Sequence, residues 1–421
     1  MRQRRWFRLV AAAGAFSLLA AACGDDDDGG TTDTTEAEEG AEAQPATDQL
    51  VIGRVLPETG PLSFLGPPMI VGTDLAVEDI NAAGGVLGKE VKLIKGDEGE
   101  TPQIARETVN RLLGDGANVI IGAAASGSSQ EFIGTLSENG IPQCSGSNTS
   151  PSFTDQENAD FYFRTVPPDE AVAPIIADRV IEDGHTSVAV VNRADDYGNL
   201  LGDLIAQRLE ESGATVEGPI SYDPEAATFD AEVSRVTNAS PDAVVLVSFD
   251  EGGQIAAGLI EAGITPDQLY GADGVFGPTF VEQVDPANES VIDGMTVIGA
   301  AGTKEFNDRI AEQTNNNFIY GGQTYDCVII AALAAEAAQS VDGQDIIDAV
   351  QDVTSGGTKC TTFEECKQLL EDGEDIDYDG ASGTIELNEP GDPTTAVYAI
   401  GQFQDGGTLT IVDSREVDLT E

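Results

Sequence analysis

The chain has 421 residues, which is enough for two domains with separate cores, and its formal net charge is −55 at neutral pH. Such an acidic balance excludes a nucleic-acid-binding protein, which needs a basic surface against the phosphates. Because like charges repel at low salt and are screened at high salt, the composition suggests the hypothesis of a saline habitat.

The N-terminus is predicted to be an export signal. Four arginines fall within the first eight residues, and the apolar run that follows ends at Ala22, too short to span a membrane comfortably. Three alanines directly precede Cys23, a pattern that resembles a bacterial lipobox, in which the cysteine is acylated after cleavage. We therefore predict a lipoprotein signal peptide at 1–22 and lipidation of Cys23. An ordinary secretory signal and an uncleaved anchor are the alternatives.

The segment after the signal is predicted to be a disordered acidic tether, at 23–48. Residues 24–48 contain no large apolar side chain, so they cannot bury enough surface to offset the entropy of ordering the chain. Removal of the signal would take four of the 20 basic residues, leaving 16 against 75 acidic ones and a charge of −59. The tether would hold a folded domain off the outer face of the membrane.

From Leu50 onwards, strand-like and helix-like segments alternate. The first series is a strand from Leu50, a helix at 72–81, a strand at 91–97, a helix at 101–113, a strand at 117–121 and a helix from Gln130. The second is a strand at 186–191, a helix at 199–212, a strand at 242–247, a helix at 254–262 and a strand at 268–274. This alternation is typical of parallel sheets with helices on both faces, so we predict an α/β protein with two doubly wound lobes.

Two polar turns follow adjacent strands of the first series, at 126–129 and at 144–151. In open parallel sheets, ligands bind beyond the carboxyl ends of the strands. A helix N-terminus there presents unpaired N–H groups that hold anions. The pattern therefore predicts a binding protein for a small molecule.

Catalysis and metal binding receive little support from the sequence. It contains one histidine, His185, which is interpreted as a surface residue, and none of the common nucleophile, phosphate-loop or zinc motifs. The segment Asp375 to Glu386 fits the spacing of a calcium loop, but 384–387 favours a strand over the exiting helix. In so acidic a chain we interpret this as a chance match, with calcium as the open alternative. We expect no enzyme activity, no cofactor and no metal.

The cysteines other than Cys23 allow three full pairings. Cys360 and Cys366 flank a short segment and could close a local disulfide loop. Cys144 and Cys327 lie in apolar contexts and are predicted to be buried free thiols, although a bridge between them is the alternative.

Eight segments occur in the order of a known family, the branched-chain amino acid binding proteins of ABC importers. They are TGPLSFLG, DINAAGGVLGKEV, IIGAAASGSSQ, IPQCSGSNTSP, FRTVPPD, DDYG, GADGVFG and DIDYDGASG. The similarity runs from about Leu50 to about Phe403 and implies the type I periplasmic binding protein fold, with two lobes joined by a crossover hinge that close like a Venus flytrap. On this basis we predict lobe 1 at 49–168 plus about 300–380, and lobe 2 at 169–299 plus about 381–421.

The resemblance also implies a set of ligand-binding residues. By position, Ser126 matches the serine that binds the ligand carboxylate, and Ser147 and Thr149 match the second-turn residues. On the closing lobe, Tyr197 matches a pocket tyrosine and Asp273 matches an acid near the ligand ammonium.

Four further residues belong to this set: Asp169, Phe64, Leu65 and Ser248. Asp169 matches a polar residue at the lobe boundary. An aromatic residue usual at the apolar wall is replaced by Leu65, with Phe64 beside it, and a closing-lobe tyrosine is replaced by Ser248, with Phe249 beside it. These departures from the family pattern affect which ligand side chain the site is expected to accept.

The resemblance implies a monomeric, lipid-anchored, extracytoplasmic receptor that delivers an apolar amino acid to an ABC permease with cytoplasmic ATPase subunits. The first alternative is the same fold binding an amide, urea or an aromatic acid. The second is an extracytoplasmic sensor that feeds a signalling partner.

Overall fold

The computed structural model describes residues 48–300, 302–389 and 391–419. The predicted signal peptide at 1–22, the lipidation site Cys23 and all of the tether except Asp48 lie outside the described residues. Within the described part, every helix is too short or too polar to cross a membrane.

The strands of the described residues alternate with helices along most of the chain. The strands are β1 (Val51–Leu56), β2 (Lys92–Asp97), β3 (Val119–Gly122), β4 (Gln143–Ser145), β5 (Tyr162–Arg164), β6 (Ser187–Arg193), β7 (Thr215–Tyr222), β8 (Ala243–Val247), β9 (Leu269–Gly271), β10 (Thr296–Ala300), β11 (Thr358–Cys360), β12 (Ile376–Tyr378), β13 (Thr395–Gln404) and β14 (Thr408–Asp418).

The helices cover the faces of the sheets. They are α1 (Gly66–Ala82), α2 (Pro102–Gly114), α3 (Ser126–Gln130), α4 (Ile133–Glu138), α5 (Asp169–Glu182), α6 (Asp196–Glu211), α7 (Asp230–Ala239), α8 (Gly252–Glu261), α9 (Phe280–Val284), α10 (Lys304–Ile310), α11 (Gly321–Ala338), α12 (Gly343–Val350) and α13 (Phe363–Glu371).

Two large sheets organise most of these elements, and β11 and β12 form a separate two-stranded sheet. The first has five parallel strands in the order β2-β1-β3-β4-β5, and the second has seven in the order β14-β13-β10-β9-β8-β6-β7. Every residue of β1, β3 and β8 is buried, as expected for parallel strands that are covered by helices on both faces. The predicted α/β class with two doubly wound lobes is confirmed.

The second sheet is mixed, because β13 pairs antiparallel with both β10 and β14. The strand series predicted from the sequence did not include this C-terminal hairpin. The strand predicted at 384–387 is wrong, since these residues form only an isolated bridge between Leu387 and Pro393.

The chain passes between the sheets after β5, after β10 and again before β13. Between the last two passages, α11 packs against α1 and against β3 and β4 of the first sheet. The carboxyl ends of strands from both sheets therefore border one cleft, and the polar turns that follow β3, β4, β6, β8 and β9 meet there.

The prediction of free thiols at Cys144 and Cys327 is wrong, because the structure joins these two residues in a disulfide. Cys144 lies on β4 and Cys327 on α11, which packs directly on that strand. Their Cα atoms are 5.6 Å apart although 183 residues separate them in sequence. A second disulfide joins Cys360 to Cys366 across a separation of six residues.

The two disulfides differ in loop length, and this difference predicts unequal contributions to stability. Cross-linking removes more entropy from the unfolded chain when the loop is longer. Replacing Cys144 and Cys327 together by alanine should lower the free energy of unfolding by about 5 kcal/mol, and replacing Cys360 and Cys366 by about 2 kcal/mol. Chemical denaturation of both double variants measures the free energy of unfolding. A larger loss of stability on removal of the Cys360–Cys366 disulfide would contradict the prediction that the longer loop contributes more.

Candidate functional site

A small cavity of about 20 Å³ lies in the cleft, at the ends of strands from both sheets. Its wall combines small polar residues of the first sheet with aromatic and acidic residues of the second. The lining residues are Leu62, Leu65, Ala124, Ala125, Ser126, Ser147, Thr149, Tyr197, Phe249, Asp273, Gly274 and Tyr320.

Asp273 is the acidic group of this wall. Its side chain is 5% exposed, and it begins a short helical turn after β9 rather than extending the strand as predicted. The Tyr197 hydroxyl donates to Oδ1 at 2.6 Å, and the Tyr320 hydroxyl donates to Oδ2. Burial raises the pKa of Asp273, while the hydrogen bonds from the two phenols oppose that rise. Asp273 therefore holds tyrosines from two different parts of the chain.

Tyr197 is placed by a helix cap. The Asp195 carboxylate accepts a hydrogen bond from the Gly198 N–H at 2.8 Å, so α6 begins at Asp196, three residues earlier than predicted. This puts Tyr197 in the first turn of α6, with its ring stacked on Phe249 at a centroid distance of 5.3 Å.

Asp169 is a second buried acid close to the cavity. It begins α5, is 0% exposed, and its N–H donates to the Thr149 carbonyl at 2.8 Å. Neither carboxylate oxygen has a well-aligned hydrogen-bond partner among the described residues, although the Thr149 side chain lies close enough to favour the ionised form. Burial raises the pKa of Asp169 well above its ordinary value, and the negative charge of Asp273 raises it further. Such a carboxyl group is costly unless a proton or a cation neutralises it.

The first polar turn, between β3 and α3, is organised by Glu98. Its carboxylate accepts hydrogen bonds from the N–H groups of Ala124 at 2.8 Å and Ala125 at 3.0 Å. These bonds fix the turn so that α3 begins at Ser126 rather than near Gln130, where the sequence pattern placed the helix. Burial raises the pKa of Glu98 to about 7, against the effect of the two N–H donors.

The second polar turn, after β4, is organised by Arg164. This side chain is fully buried, pairs through Nε with Asp392 at 2.6 Å, and donates through Nη1 to the carbonyls of Asn148 and Ser150 at 2.8 and 2.9 Å. The Ser147 hydroxyl donates to the Ala124 carbonyl at 3.1 Å and so ties the second turn to the first. Both turns are therefore held in place by hydrogen bonds from the protein's own side chains.

A small cavity between two sheets, lined by fixed polar turns, is typical of a ligand-binding protein. The comparisons with known proteins agree with this interpretation. Residues 49–407 match the family model described as "Periplasmic binding protein". The chain belongs to the periplasmic binding protein family. Members of this family are solute-binding proteins of transporters, which agrees with the predicted absence of enzyme activity.

Two curated relatives show the range of named functions in this family. The Leu/Ile/Val-binding protein homolog 3 of Brucella melitensis is 30% identical over 224 residues, which cover 53% of this chain and 61% of that protein. The substrate-binding protein BasB of a chemotactic signal transduction system in Halobacterium salinarum is 26% identical over 386 residues, covering 88% of this chain and 90% of that protein.

A solved structure supports the fold over most of the chain. The branched-chain amino acid transporter substrate-binding protein LivJ of Streptococcus pneumoniae, in complex with isoleucine, superposes with a TM-score of 0.71 at 20% identity. The superposition covers 88% of this chain and 99% of that chain.

In this periplasmic binding protein, most of the predicted site residues lie around one cavity. Those in its lining are Leu65, Ser126, Ser147, Thr149, Tyr197 and Asp273. Asp169 is buried close to Thr149 and Asp273. The other two are not in the lining: the Ser248 hydroxyl is engaged by the Tyr222 hydroxyl, and the half-buried Phe64 packs close to Gly277.

Sequence reasoning missed the functional placement of Tyr320, Leu62 and Glu98. Tyr320 precedes α11 and has a left-handed backbone, φ 60°, followed by the pair Gly321-Gly322. The local signal in the sequence was a tyrosine that directly precedes two glycines at the start of an apolar helix. Only the fold shows that this tyrosine contacts Asp273.

Two acids of the calcium-like segment pair with a lysine. The Lys359 ammonium lies 3.0 Å from both Asp377 and Asp379. Among the described residues, no group of three or more histidine, cysteine or acidic side chains is arranged to hold a metal ion. His185 is partly buried, its ring lies edge-on to Tyr270, and it is not among the residues that line the cavity.

The raised pKa of Glu98 predicts a pH-dependent stability. The folded protein keeps the proton on Glu98 up to about pH 7, whereas the ordinary pKa of a glutamate is 4.5. The contribution of this proton to the free energy of unfolding is therefore complete below pH 4.5 and is lost as the pH rises to about 7. In this pH range the free energy of unfolding of the wild type should fall by up to about 1.4 kcal/mol per pH unit because of Glu98, and replacing Glu98 by glutamine should remove this fall.

Denaturation at several pH values compares Glu98→Gln with wild type and with Glu100→Gln, which alters an exposed neighbour. Glu100→Gln should keep the wild-type slope. Identical slopes in all three proteins would contradict the burial of an ionisable Glu98.

Proposed function

We propose that this protein captures a small zwitterion with an apolar side chain, a branched-chain or similar amino acid, in the cleft between its two lobes. The observation that carries the proposal is a small cavity whose lining combines a buried acid, Asp273, with hydroxyl-bearing residues and an apolar wall, while a second acid, Asp169, is buried close by. A zwitterion needs these three environments in one small volume.

The carboxylate end of the ligand is assigned to the turn after β3. Ser126 is 3% exposed, lines the cavity, and stands at the N-terminus of α3. Its hydroxyl and the helix-terminal N–H groups can donate to a carboxylate, while Glu98 keeps the preceding N–H groups of Ala124 and Ala125 in place.

The ammonium end is assigned to Asp169, Asp273 and the second polar turn. A ligand ammonium would neutralise negative charge on the buried pair of acids. The hydroxyls of Ser147 and Thr149, which line the same side, provide further oxygen acceptors.

The side chain of the ligand would pack against Leu62, Leu65, Tyr197 and Phe249. These residues offer apolar surface and, apart from the engaged Tyr197 hydroxyl, no hydrogen-bonding group. A ligand with an apolar side chain loses nothing there, whereas a polar one would lose its hydrogen bonds to water.

Binding would act through closure of the lobes and would leave the ligand chemically unchanged. The closed form would deliver the ligand to an ABC permease with cytoplasmic ATPase subunits. The relative named as a Leu/Ile/Val-binding protein and the fold shared with LivJ, whose structure contains isoleucine, support this proposal. We further propose that the protein acts as a monomer and that Cys23 carries the lipid that anchors it outside the cell.

A second candidate function is an extracytoplasmic sensor that reports ligand binding to a signalling partner. The relative BasB, named as part of a chemotactic signal transduction system and aligned over 88% of this chain, favours it. Both candidates use the same ligand site and differ in the protein that receives the closed form.

Variants of the two ends of the cavity should weaken amino acid binding in a defined order. Replacing Asp169 or Asp273 by asparagine should weaken leucine binding at least about 30-fold, because each change removes a buried charge opposite the ammonium, a loss of 2 kcal/mol or more. Ser126→Ala should weaken it about tenfold, through one hydrogen bond to a charged group. Isothermal titration calorimetry measures these affinities.

The matched control is Ser137→Ala, since this serine lies on α4 outside the cavity lining and its buried hydroxyl has no partner among the described residues. Its affinity for leucine should equal that of wild type. If Ser126→Ala and Ser137→Ala changed the affinity for leucine equally, the proposal that Ser126 binds the ligand carboxylate would be contradicted. A thermal shift with amides, urea or aromatic acids but with no amino acid would favour the alternative ligands.

The anchor is tested in cells. Replacing Cys23 by serine should move the protein from the membrane fraction to the soluble extracytoplasmic fraction, because the acylated residue is lost. Metabolic labelling with a fatty acid and membrane fractionation follow this change. Unchanged labelling of the Cys23→Ser protein would contradict the lipoprotein assignment.

A further inference from the structure

A second and larger cavity, of about 320 Å³, lies outside the first one and between the same lobes. It is bordered by the loops after β1, β2 and β3 of the first sheet and by the loops after β6, β7 and β8 of the second. Leu62, Ala125 and Phe249 line both cavities. These three residues therefore form the partition between the inner and the outer cavity.

Phe249 is the largest member of this partition, and its ring is held on several sides. It is 7% exposed and stacks on Tyr197 with an angle of 16° between the rings. The guanidinium carbon of Arg193 lies 3.6 Å from the Phe249 ring centroid, within the range of a strong cation–π contact.

Arg193 is itself fixed. Its Nε lies 2.5 Å from Asp195 and its Nη1 lies 2.7 Å from Glu251. The Tyr222 hydroxyl donates to the same Glu251 oxygen at 2.9 Å. A guanidinium paired with two carboxylates keeps one orientation, so it holds the ring in one position.

The backbone beside Asp273 fixes the edge of the ring. A Cβ atom at Gly274 would lie 2.8 Å from the Phe249 Cδ1 atom and 2.3 Å from the Ser248 carbonyl oxygen. The ring can lie this close only because residue 274 is a glycine. The position of the partition is therefore coupled to the turn that carries Asp273.

We propose that Phe249 sets the upper limit on the length of the ligand side chain, with Arg193 as the residue that positions it. This inference rests on the proposed capture of an amino acid, because it needs the backbone of the ligand to be fixed at the other end of the inner cavity. With the ring in place, a side chain must end within the inner cavity. Without the ring, the inner cavity opens into the outer one and larger amino acids have room.

The test compares leucine with phenylalanine and tryptophan by isothermal titration calorimetry on wild type, Phe249→Ala and Phe249→Leu. Loss of the ring should weaken leucine binding about 10- to 200-fold, because apolar contacts are removed. Phenylalanine binding should strengthen, so that the leucine-to-phenylalanine affinity ratio falls at least 100-fold in Phe249→Ala. Phe249→Leu, a milder change in case the alanine variant folds poorly, should give a smaller fall in the same direction.

Phe280→Leu is the matched control, since Phe280 is buried in the same lobe but lines neither cavity. It should keep the wild-type affinity ratio. Arg193→Gln should lower the ratio less than Phe249→Ala does, and Arg193→Lys, which keeps the cation, should restore part of it. A purely structural role of Arg193 would lower stability without moving the ratio.

The outcomes separate the two proposals. Wild-type binding of leucine with an unchanged ratio in both Phe249 variants would overturn the role of Phe249 and leave the proposed function intact. Failure of wild type to bind any amino acid would overturn the proposed function and this inference with it.

Discussion

The closed cleft depends on one buried carboxylate, that of Asp273, and on the two tyrosine hydroxyls that donate to it. Tyr197 belongs to α6, which packs on the second sheet, while Tyr320 directly precedes α11, which packs on the first. A single acid thus joins parts of the chain that belong to different sheets. Because all three groups are buried, breaking either hydrogen bond would leave an unsatisfied polar group in a region without access to water.

The second acid is the reason for proposing a cationic group on the ligand. Asp273 has donors of its own, whereas the Asp169 oxygens have no well-aligned partner among the described residues, and the two acids raise each other's cost of ionisation. One positive charge between them stabilises both. In this account ligand binding and lobe closure are one event, since closure buries the acids and the ligand neutralises them.

The fold and much of the site could be predicted from the sequence, because both are recorded in local patterns. Buried parallel strands are apolar runs, and the turns that carry Ser126, Ser147 and Asp273 are short polar segments directly after such runs. The turns could therefore be located without coordinates, while the individual side chains were named from the resemblance to the family.

The missing parts depend on contacts between distant residues. Tyr320 reaches Asp273 only because α11 returns to the first sheet, and Cys144 meets Cys327 across 183 residues for the same reason. The start of α3 was misplaced because the group that caps its turn, Glu98, comes from the preceding strand–helix loop. Ser248 was favoured over Phe249 because alignment by position cannot tell which of two neighbouring side chains points into the cavity.

The central claim is that the cavity binds both charged ends of an amino acid. Calorimetric titration of the protein with leucine, 4-methylpentanoate, which lacks the ammonium, and 3-methylbutylamine, which lacks the carboxylate, tests it most directly. The account predicts binding of leucine and a loss of about 30-fold or more for each analogue, since each leaves buried groups unpaired. Binding of 4-methylpentanoate as tight as that of leucine would contradict it, because the two buried acids would then have no part in recognition.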